Sequence, residues 1–322
     1  MKAMVQDSYG PPEVLRMEDM ERPVPRRGEV LVRVHAAGVD QGVWHLMAGM
    51  PYAVRAVSGL RRPRTRVRGM DVAGVVEAVG PDVTRFRPGD EVYGNCSGSF
   101  AEYARAKEGT LAPKPAGLGF EQAAAVPVSA CTALGAVRDS GQVEAGQRVL
   151  VLGASGGVGS FAVQVAKAYG AHVTGVCSTT KTDLVRSLGA DEVIDYTQED
   201  PVDGSRRYDV ILDIAGNRPI ARLRRALTPR GTLAIVGGEG GGNWIGGNQR
   251  QLGAMLLSPF VGHRLRAHGT LVRSRDLEVL TELIEAGSVT PAVDRVYPLA
   301  EVPDAIRYLR DGHVRGKLAI RL

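Results

Sequence analysis

The run Gly153-Ala154-Ser155-Gly156-Gly157-Val158-Gly159 stands between a short apolar stretch, Val149-Leu-Val-Leu152, and an amphipathic segment reaching Tyr169. Glycines at a strand-to-helix turn let the backbone bend sharply and approach a pyrophosphate, whose charge then sits at the helix N-terminus. A glycine pattern alone is also compatible with a plain turn. Here the strand before it, the helix after it and further strand–helix alternation agree, so a bound dinucleotide is expected.

The next residues bear on which dinucleotide. A site for NAD usually carries Asp or Glu at the end of the second strand, where the carboxylate grips the ribose hydroxyls. After His172-Val-Thr-Gly-Val176 this chain has Cys177-Ser178-Thr179-Thr180-Lys181 instead. Hydroxyls and an ammonium would accept a 2′-phosphate that a carboxylate would repel. NADPH is therefore the expected cofactor, with Ser178, Thr179 and Lys181 around its phosphate. The same Ser and Thr could equally cap the following helix, and the two roles can coexist.

These residues need a scaffold. Apolar runs Glu192-Val-Ile-Asp195, Asp209-Val-Ile-Leu-Asp213 and Thr232-Leu-Ala-Ile-Val236 alternate with helical segments, the pattern of βαβ units and a parallel sheet. Before residue 120 the chain reads as short strands with frequent turns, among them Val30–His35 and Val72–Val79. One further helix is expected over 275–286, and the tail from Gly316 to Leu322 again looks like a strand. The 322 residues suit two domains, 44% hydrophobic and 23% charged as in ordinary globular proteins. No run approaches the ~18 apolar residues of a membrane-spanning helix. Cys96, Cys131 and Cys177 are odd in number and scattered, giving neither a disulfide framework nor a zinc ribbon. The N-terminus is too polar for a signal peptide, and a reducing, cytoplasmic location is expected. Forty basic and 35 acidic residues are interleaved, too even a balance for nucleic-acid binding. Five arginines between Arg61 and Arg68 are the local exception, either a solvated loop or a surface for a phosphate-bearing or acidic partner.

The stretch from Gly146 to Gly159, with Gln164 and Lys167, resembles the signature of the quinone oxidoreductase/ζ-crystallin branch of the zinc-independent medium-chain dehydrogenase/reductases. Tyr9-Gly10-Pro-Pro-Glu13, Gly89-Asp90-Glu-Val92, Gly98-Ser-Phe-Ala101-Glu102-Tyr103 and Gly312-His313-Val-Arg-Gly316-Lys317 are similar to the same superfamily. The resemblance spans essentially the whole chain. It implies an α/β fold: a GroES-like β-rich catalytic domain from residues 1–123 and 265–322, and a Rossmann doubly wound parallel sheet over 124–264. It also implies a cleft for the nicotinamide between them, and commonly a homodimer. By the family pattern Gly157, Val158 and Gly159 hold the pyrophosphate, with Ser155 and Gly156 also expected to bind the cofactor. Ser178, Lys181 and Tyr196 surround the adenosine ribose and its phosphate. Thr132, Gly216, Asn217, Gly237, Gly238 and Lys317 lie toward the nicotinamide. Tyr196 could instead cover the strand edge, and Lys317 could be a solvated charge.

The resemblance also implies the absence of zinc. Asp40 stands at the usual Cys position and Met70 where a His would be; Asp40, His45 and Asp71 remain the only material for an odd site. Without a strong Lewis acid, alcohol oxidation is hard, whereas hydride delivery to a quinone or an α,β-unsaturated carbonyl needs less help. An NADPH-dependent reductase of quinones or enones is the leading expectation. An enoyl-thioester reductase, a zinc-independent alcohol dehydrogenase or carbonyl reductase, and a non-enzymatic NADPH-binding protein are the alternatives. Asp40 could orient the nicotinamide ribose, assist proton transfer or cap a turn. Trp44, His45 and Tyr52 are candidate pocket residues, Trp44 and Tyr52 forming either an aromatic wall or core packing. Tyr52 is the candidate proton donor. Seven glycines between Gly237 and Gly247, around Trp244, are read as either a mobile loop over the site or a surface turn.

Overall fold

The computed structural model describes residues 1–238 and 242–322, Asn248 by its backbone alone. The expected glycine-rich loop over the site therefore lies partly outside the described residues. Two compact units form: one comprises Met1–Cys131, Leu271–Glu285 and Pro291–Leu322, the other Thr132–Thr270 and Ala286–Thr290.

In the second unit the described residues form a six-stranded parallel sheet. Its spatial order is Glu192–Asp195, His172–Cys177, Arg148–Leu152, Tyr208–Asp213, Leu227–Ile235 and Arg264–Ala267. The chain starts this sheet in the middle, works outward to one edge, then returns to work toward the other. That is doubly wound topology, and its order reverses between Arg148–Leu152 and Tyr208–Asp213, the place where such sheets bind ligands. The strands read as continuous apolar runs because both faces are covered. Leu150, Val176, Ile194, Ile211, Leu233 and Leu265 form the core, each no more than 3% exposed. The helix Gly157–Ala168 buries most of its length, from Gly159 to Ala166.

In the first unit, Glu29–Val39 is the organising strand of a seven-stranded sheet. Along the sheet lie Val293–Pro298, Lys317–Arg321, Glu29–Val39, Asp71–Val79, Glu91–Asn95 and Leu111–Pro113. Glu29–Val39 is long enough to serve two neighbours on one side. Its first half pairs with Tyr103–Lys107 and its second with Lys317–Arg321, all antiparallel. In this register Val39 faces Leu318 and Gly38 faces Asp71. Asp40, Asp71 and Lys317, distant in sequence, are thereby brought to one end of adjacent strands.

Candidate functional site

The glycine-rich turn has the form its sequence required. Gly153 leaves the strand Arg148–Leu152 with φ of +85°, a left-handed conformation that a side chain would strain. Gly159 packs so tightly that a Cβ there would stand 2.0 Å from the Gly153 carbonyl oxygen. Gly156 is the N-cap of the helix Gly157–Ala168, with no side-chain hydrogen bond to the helix end and no acid in the first turn. The leading N–H groups of an α-helix have no partner within it and carry the positive end of its dipole. Three turns of helix with an uncapped, acid-free start, beside a turn with no Cβ in the way, fit a pyrophosphate.

At the carboxyl ends of the neighbouring strands the expected adenosine-side residues come together. Ser178 precedes a short 3-10 turn, Thr179–Lys181, and accepts from the Lys181 N–H at 3.0 Å. The Tyr196 N–H donates to Cys177 O at 3.1 Å, and Tyr196 is 53% exposed. Sequence reasoning missed Asp195, a carboxylate that ends the strand next door. Thr179 Oγ1 donates to one of its oxygens at 2.5 Å, while the Thr197 hydroxyl and N–H donate to the other at 2.8 and 3.0 Å. The Thr179 hydroxyl holds this carboxyl below its ordinary range. Its place at the end of the run Glu192-Val-Ile-Asp195 was the available signal.

Across the switch point, Asp213 ends the strand Tyr208–Asp213 with its side chain fully buried. It forms an ion pair with Arg250 at 2.6 Å and accepts from the Gly216 N–H at 3.0 Å. The Val236 and Gly237 N–H groups both donate to its carbonyl at 3.0 Å, and Gly247 N–H donates to Gly238 O at 3.1 Å. Gly216 thus sits on the Asp213 carboxylate and Gly237 on its carbonyl, with Gly237 and Gly238 packed against Gly216; Asn217 beside them is exposed. Thr132 is 6% exposed, its hydroxyl 2.7 Å from that of Thr270. Nearby in sequence, His268 meets Ser140 Oγ through Nδ1 at 3.0 Å, and its Nε2 is buried with no hydrogen-bond partner among the described residues. Desolvation pulls the His268 ring below the usual histidine range, with Asp139 pulling weakly the other way.

In the first unit, Lys317 is not a solvated charge. It is 1% exposed, donates to Ser129 Oγ at 3.0 Å, and has Asp40 Oδ2 at 3.9 Å and Asp71 Oδ2 at 3.8 Å. Each carboxylate spends its other oxygen on a helix start. Asp40 Oδ1 accepts from Val43 N–H at 3.1 Å, capping the helix Gln41–Ala48, and Asp71 Oδ1 accepts from Val128 N–H at 3.1 Å. Among the described residues the two Oδ2 atoms have no hydrogen-bond partner. Two acids thus face one ammonium, and burial together with Asp40 pushes the Asp71 carboxyl well above the ordinary carboxylate range despite Lys317. Sequence reading had Asp71 only as material for an odd metal site and missed Ser129.

The Trp44 ring lies under the Arg310 guanidinium at 3.8 Å and meets His45 edge-on, while His45 Nδ1 is 2.7 Å from Met50 O. Tyr52 is 40% exposed, with the Arg55 guanidinium 4.8 Å from its ring centre. Among the described residues, no group of three or more His, Cys, Asp or Glu side chains could hold a metal ion, and no helix is long and apolar enough to cross a membrane.

An uncapped helix start at the switch point of a doubly wound sheet suits a dinucleotide, and known proteins agree. Residues 26–116 match the family described as "Alcohol dehydrogenase GroES-like domain" and residues 188–320 that described as "Zinc-binding dehydrogenase". A Mus musculus protein named "NAD(P)H oxidoreductase RTN4IP1, mitochondrial" is 35% identical, covering 100% of this chain and 89% of its own. An Arabidopsis thaliana "NADPH-dependent alkenal/one oxidoreductase, chloroplastic" is 35% identical over 99% of this chain and 79% of its own. A human "Quinone oxidoreductase" is 33% identical, covering 100% and 98%. The solved quinone oxidoreductase from Coxiella burnetii superposes with a TM-score of 0.87 at 28% identity, covering 100% of this chain and 99% of that one. The expected cytoplasmic location is overturned: bovine, human and zebrafish relatives share the mouse protein's name, so these similar proteins are mitochondrial. A polar N-terminus and reduced cysteines do not distinguish the two compartments. This chain belongs to the medium-chain dehydrogenase/reductase family, in its zinc-independent, quinone-oxidoreductase-like branch, and is an NAD(P)H-dependent oxidoreductase.

Proposed function

We propose that this oxidoreductase uses NADPH to reduce quinones or α,β-unsaturated carbonyl compounds, without a metal ion. The observation that carries the cofactor preference is the turn after His172–Cys177. It presents Ser178 and Lys181 with no acid of its own, and the nearby Asp195 already accepts from Thr179 and Thr197. A 2′-phosphate is met there by hydroxyls and an ammonium. The helix start at Gly157 to Gly159, with Ser155 and Gly156, takes the pyrophosphate, and Tyr196 covers the adenosine. Thr132, Gly216, Asn217, Gly237 and Gly238 flank the nicotinamide. The bound cofactor supplies a hydride.

The chain's own residues supply the rest. The Lys317 ammonium already faces Asp40 and Asp71, and this internal cation opposes entry of a divalent metal among them. Asp40 fixes the start of the helix carrying Trp44 and His45. The Tyr52 hydroxyl donates to the developing oxyanion. The names of the Arabidopsis and human relatives support the substrate class.

The test is a screen of NADPH oxidation against quinones, enones, enals and enoyl thioesters, using cofactor deuterated at C4. Turnover of quinones or free enones is expected, with deuterium at the β-carbon of reduced enones. Turnover of thioesters alone, or loss of activity on removing a stoichiometric metal, overturns this reading. Tyr52→Phe is expected to lower turnover by about 10²-fold, and a change within a few-fold removes Tyr52 as donor.

A further inference from the structure

The five arginines between Arg61 and Arg68 do not behave as one charged surface. Arg61, Arg62 and Arg64 are exposed, and Arg66 is paired with Asp7 and Glu18 at 2.7 and 2.9 Å. Arg68 is different. It is 5% exposed, held in place by its own backbone: its N–H donates to Met4 O at 3.2 Å, and its carbonyl accepts from Phe100 N–H at 2.9 Å. Among the described residues its guanidinium makes one hydrogen bond, from Nη1 to Leu46 O at a long 3.4 Å, Nε is buried with no partner, and no carboxylate pairs with it. Desolvation alone pulls the guanidinium down, to about 10. A buried, unpaired cation is costly, and buried arginines are ordinarily paired or fully hydrogen-bonded.

Arg68 lines a cavity of ≈ 310 Å³ within the first unit. Val43, Leu46, Val67, Met70 and Cys96 make its walls mainly apolar, while Val57 and Arg64 are exposed at its rim. No acid lines it. Burial and the charge of Asp71 push the Cys96 thiol far up, so that wall stays neutral. The volume falls within the range of small-molecule sites, which are mostly apolar with a few placed polar groups.

We infer that this cavity is a binding site for a monoanionic organic carboxylate with an apolar tail, its carboxylate on Arg68 and its tail against Val43, Leu46 and Met70. A planar carboxylate matches the guanidinium fork. Arg68 is the one buried charge among the lining side chains and balances one negative charge, with Ser58, Thr65 and Ser97 the remaining uncharged polar lining. The inference is independent of the reaction proposed above.

Isothermal titration of the full chain at neutral pH tests it, with hexanoate and benzoate against hexanamide, benzamide and inorganic phosphate. Saturable 1:1 binding of a carboxylate is expected, at least about tenfold tighter than its amide, and lost at least about tenfold in Arg68→Met. Equal binding of acid and amide, stronger binding of phosphate, or no saturation by either acid up to about 10 mM overturns the inference. The acid–amide comparison needs no variant, so it decides the matter even if Arg68→Met fails to fold. Arg61→Ala and Arg62→Ala are expected to leave affinity unchanged. A loss in them equal to that in Arg68→Met would show attraction by surface charge and overturn the inference.

Discussion

The Lys317 ammonium stands 3.8 Å from Asp71 Oδ2, in surroundings where neither side chain is more than 1% exposed. Removing one member of a buried pair leaves an uncompensated charge and typically costs ~3–5 kcal/mol. Lys317→Met is therefore expected to lower unfolding stability by about that much, measured by urea denaturation. Adding Asp71→Asn should recover part of the loss, since the second variant removes a buried carboxylate. Additive losses in the double variant would mean that the two side chains do not interact.

Gly159 is expected to tolerate no side chain. The Gly153 carbonyl oxygen lies 2.0 Å from where a Cβ would go, so Gly159→Ala must push the helix off the turn. Overpacking of this kind costs roughly 1–3 kcal/mol, and the displaced helix start should also weaken cofactor binding. Thermal denaturation and a cofactor titration check both effects; an alanine variant of wild-type stability and affinity would contradict the tight turn.

Lys181 tests the cofactor preference. Lys181→Ala is expected to weaken NADPH by about 1–3 kcal/mol, the range of a charge-assisted contact, and NADH little. Calorimetric titration with both cofactors measures the difference. Equal affinity of the wild-type protein for NADPH and NADH would remove the phosphate role of this turn.

The pH dependence of stability should carry a contribution from His268. Its folded pKa lies below the unfolded value because burial disfavours the charged ring. Below about pH 6.5 the unfolded chain therefore binds more protons, so stability falls as pH falls from there toward the folded value and levels off below it. One such group contributes a slope of at most about 1.4 kcal/mol per pH unit. His268→Gln should flatten the denaturation midpoint between about pH 6.5 and 5, whereas an unchanged slope would place the titration elsewhere.

The nucleotide-binding sheet was legible because its information is local. Val149–Leu152, Gly153 and Gly159 announce strand, turn and helix within a dozen residues, and buried parallel strands show as unbroken apolar runs. The Lys317 cluster was not legible. Lys317 opens a strand where a lysine is equally plausible in water, and its partners Asp40, Asp71 and Ser129 lie 277, 246 and 188 positions away. The register of Glu29–Val39 joins Lys317 to Asp40 and Asp71, and Ser129 reaches them from the helix Pro127–Gly135. Arg68 was hidden differently, since the four arginines just before it disguised the one that turns inward.

The sheet of the first unit also bears on the order of assembly. Lys317–Arg321 lies inside that sheet, hydrogen-bonded on one side to Val293–Pro298 and on the other to Glu29–Val39. A chain emerging from the ribosome N-terminus first has made Glu29–Val39 and Asp71–Val79 long before the strand that fits beside them. Thr132–Thr270, by contrast, is almost a self-contained stretch. The unit translated first is thus the one completed last, and Asp40 and Asp71 must wait for the whole intervening chain before their ammonium arrives.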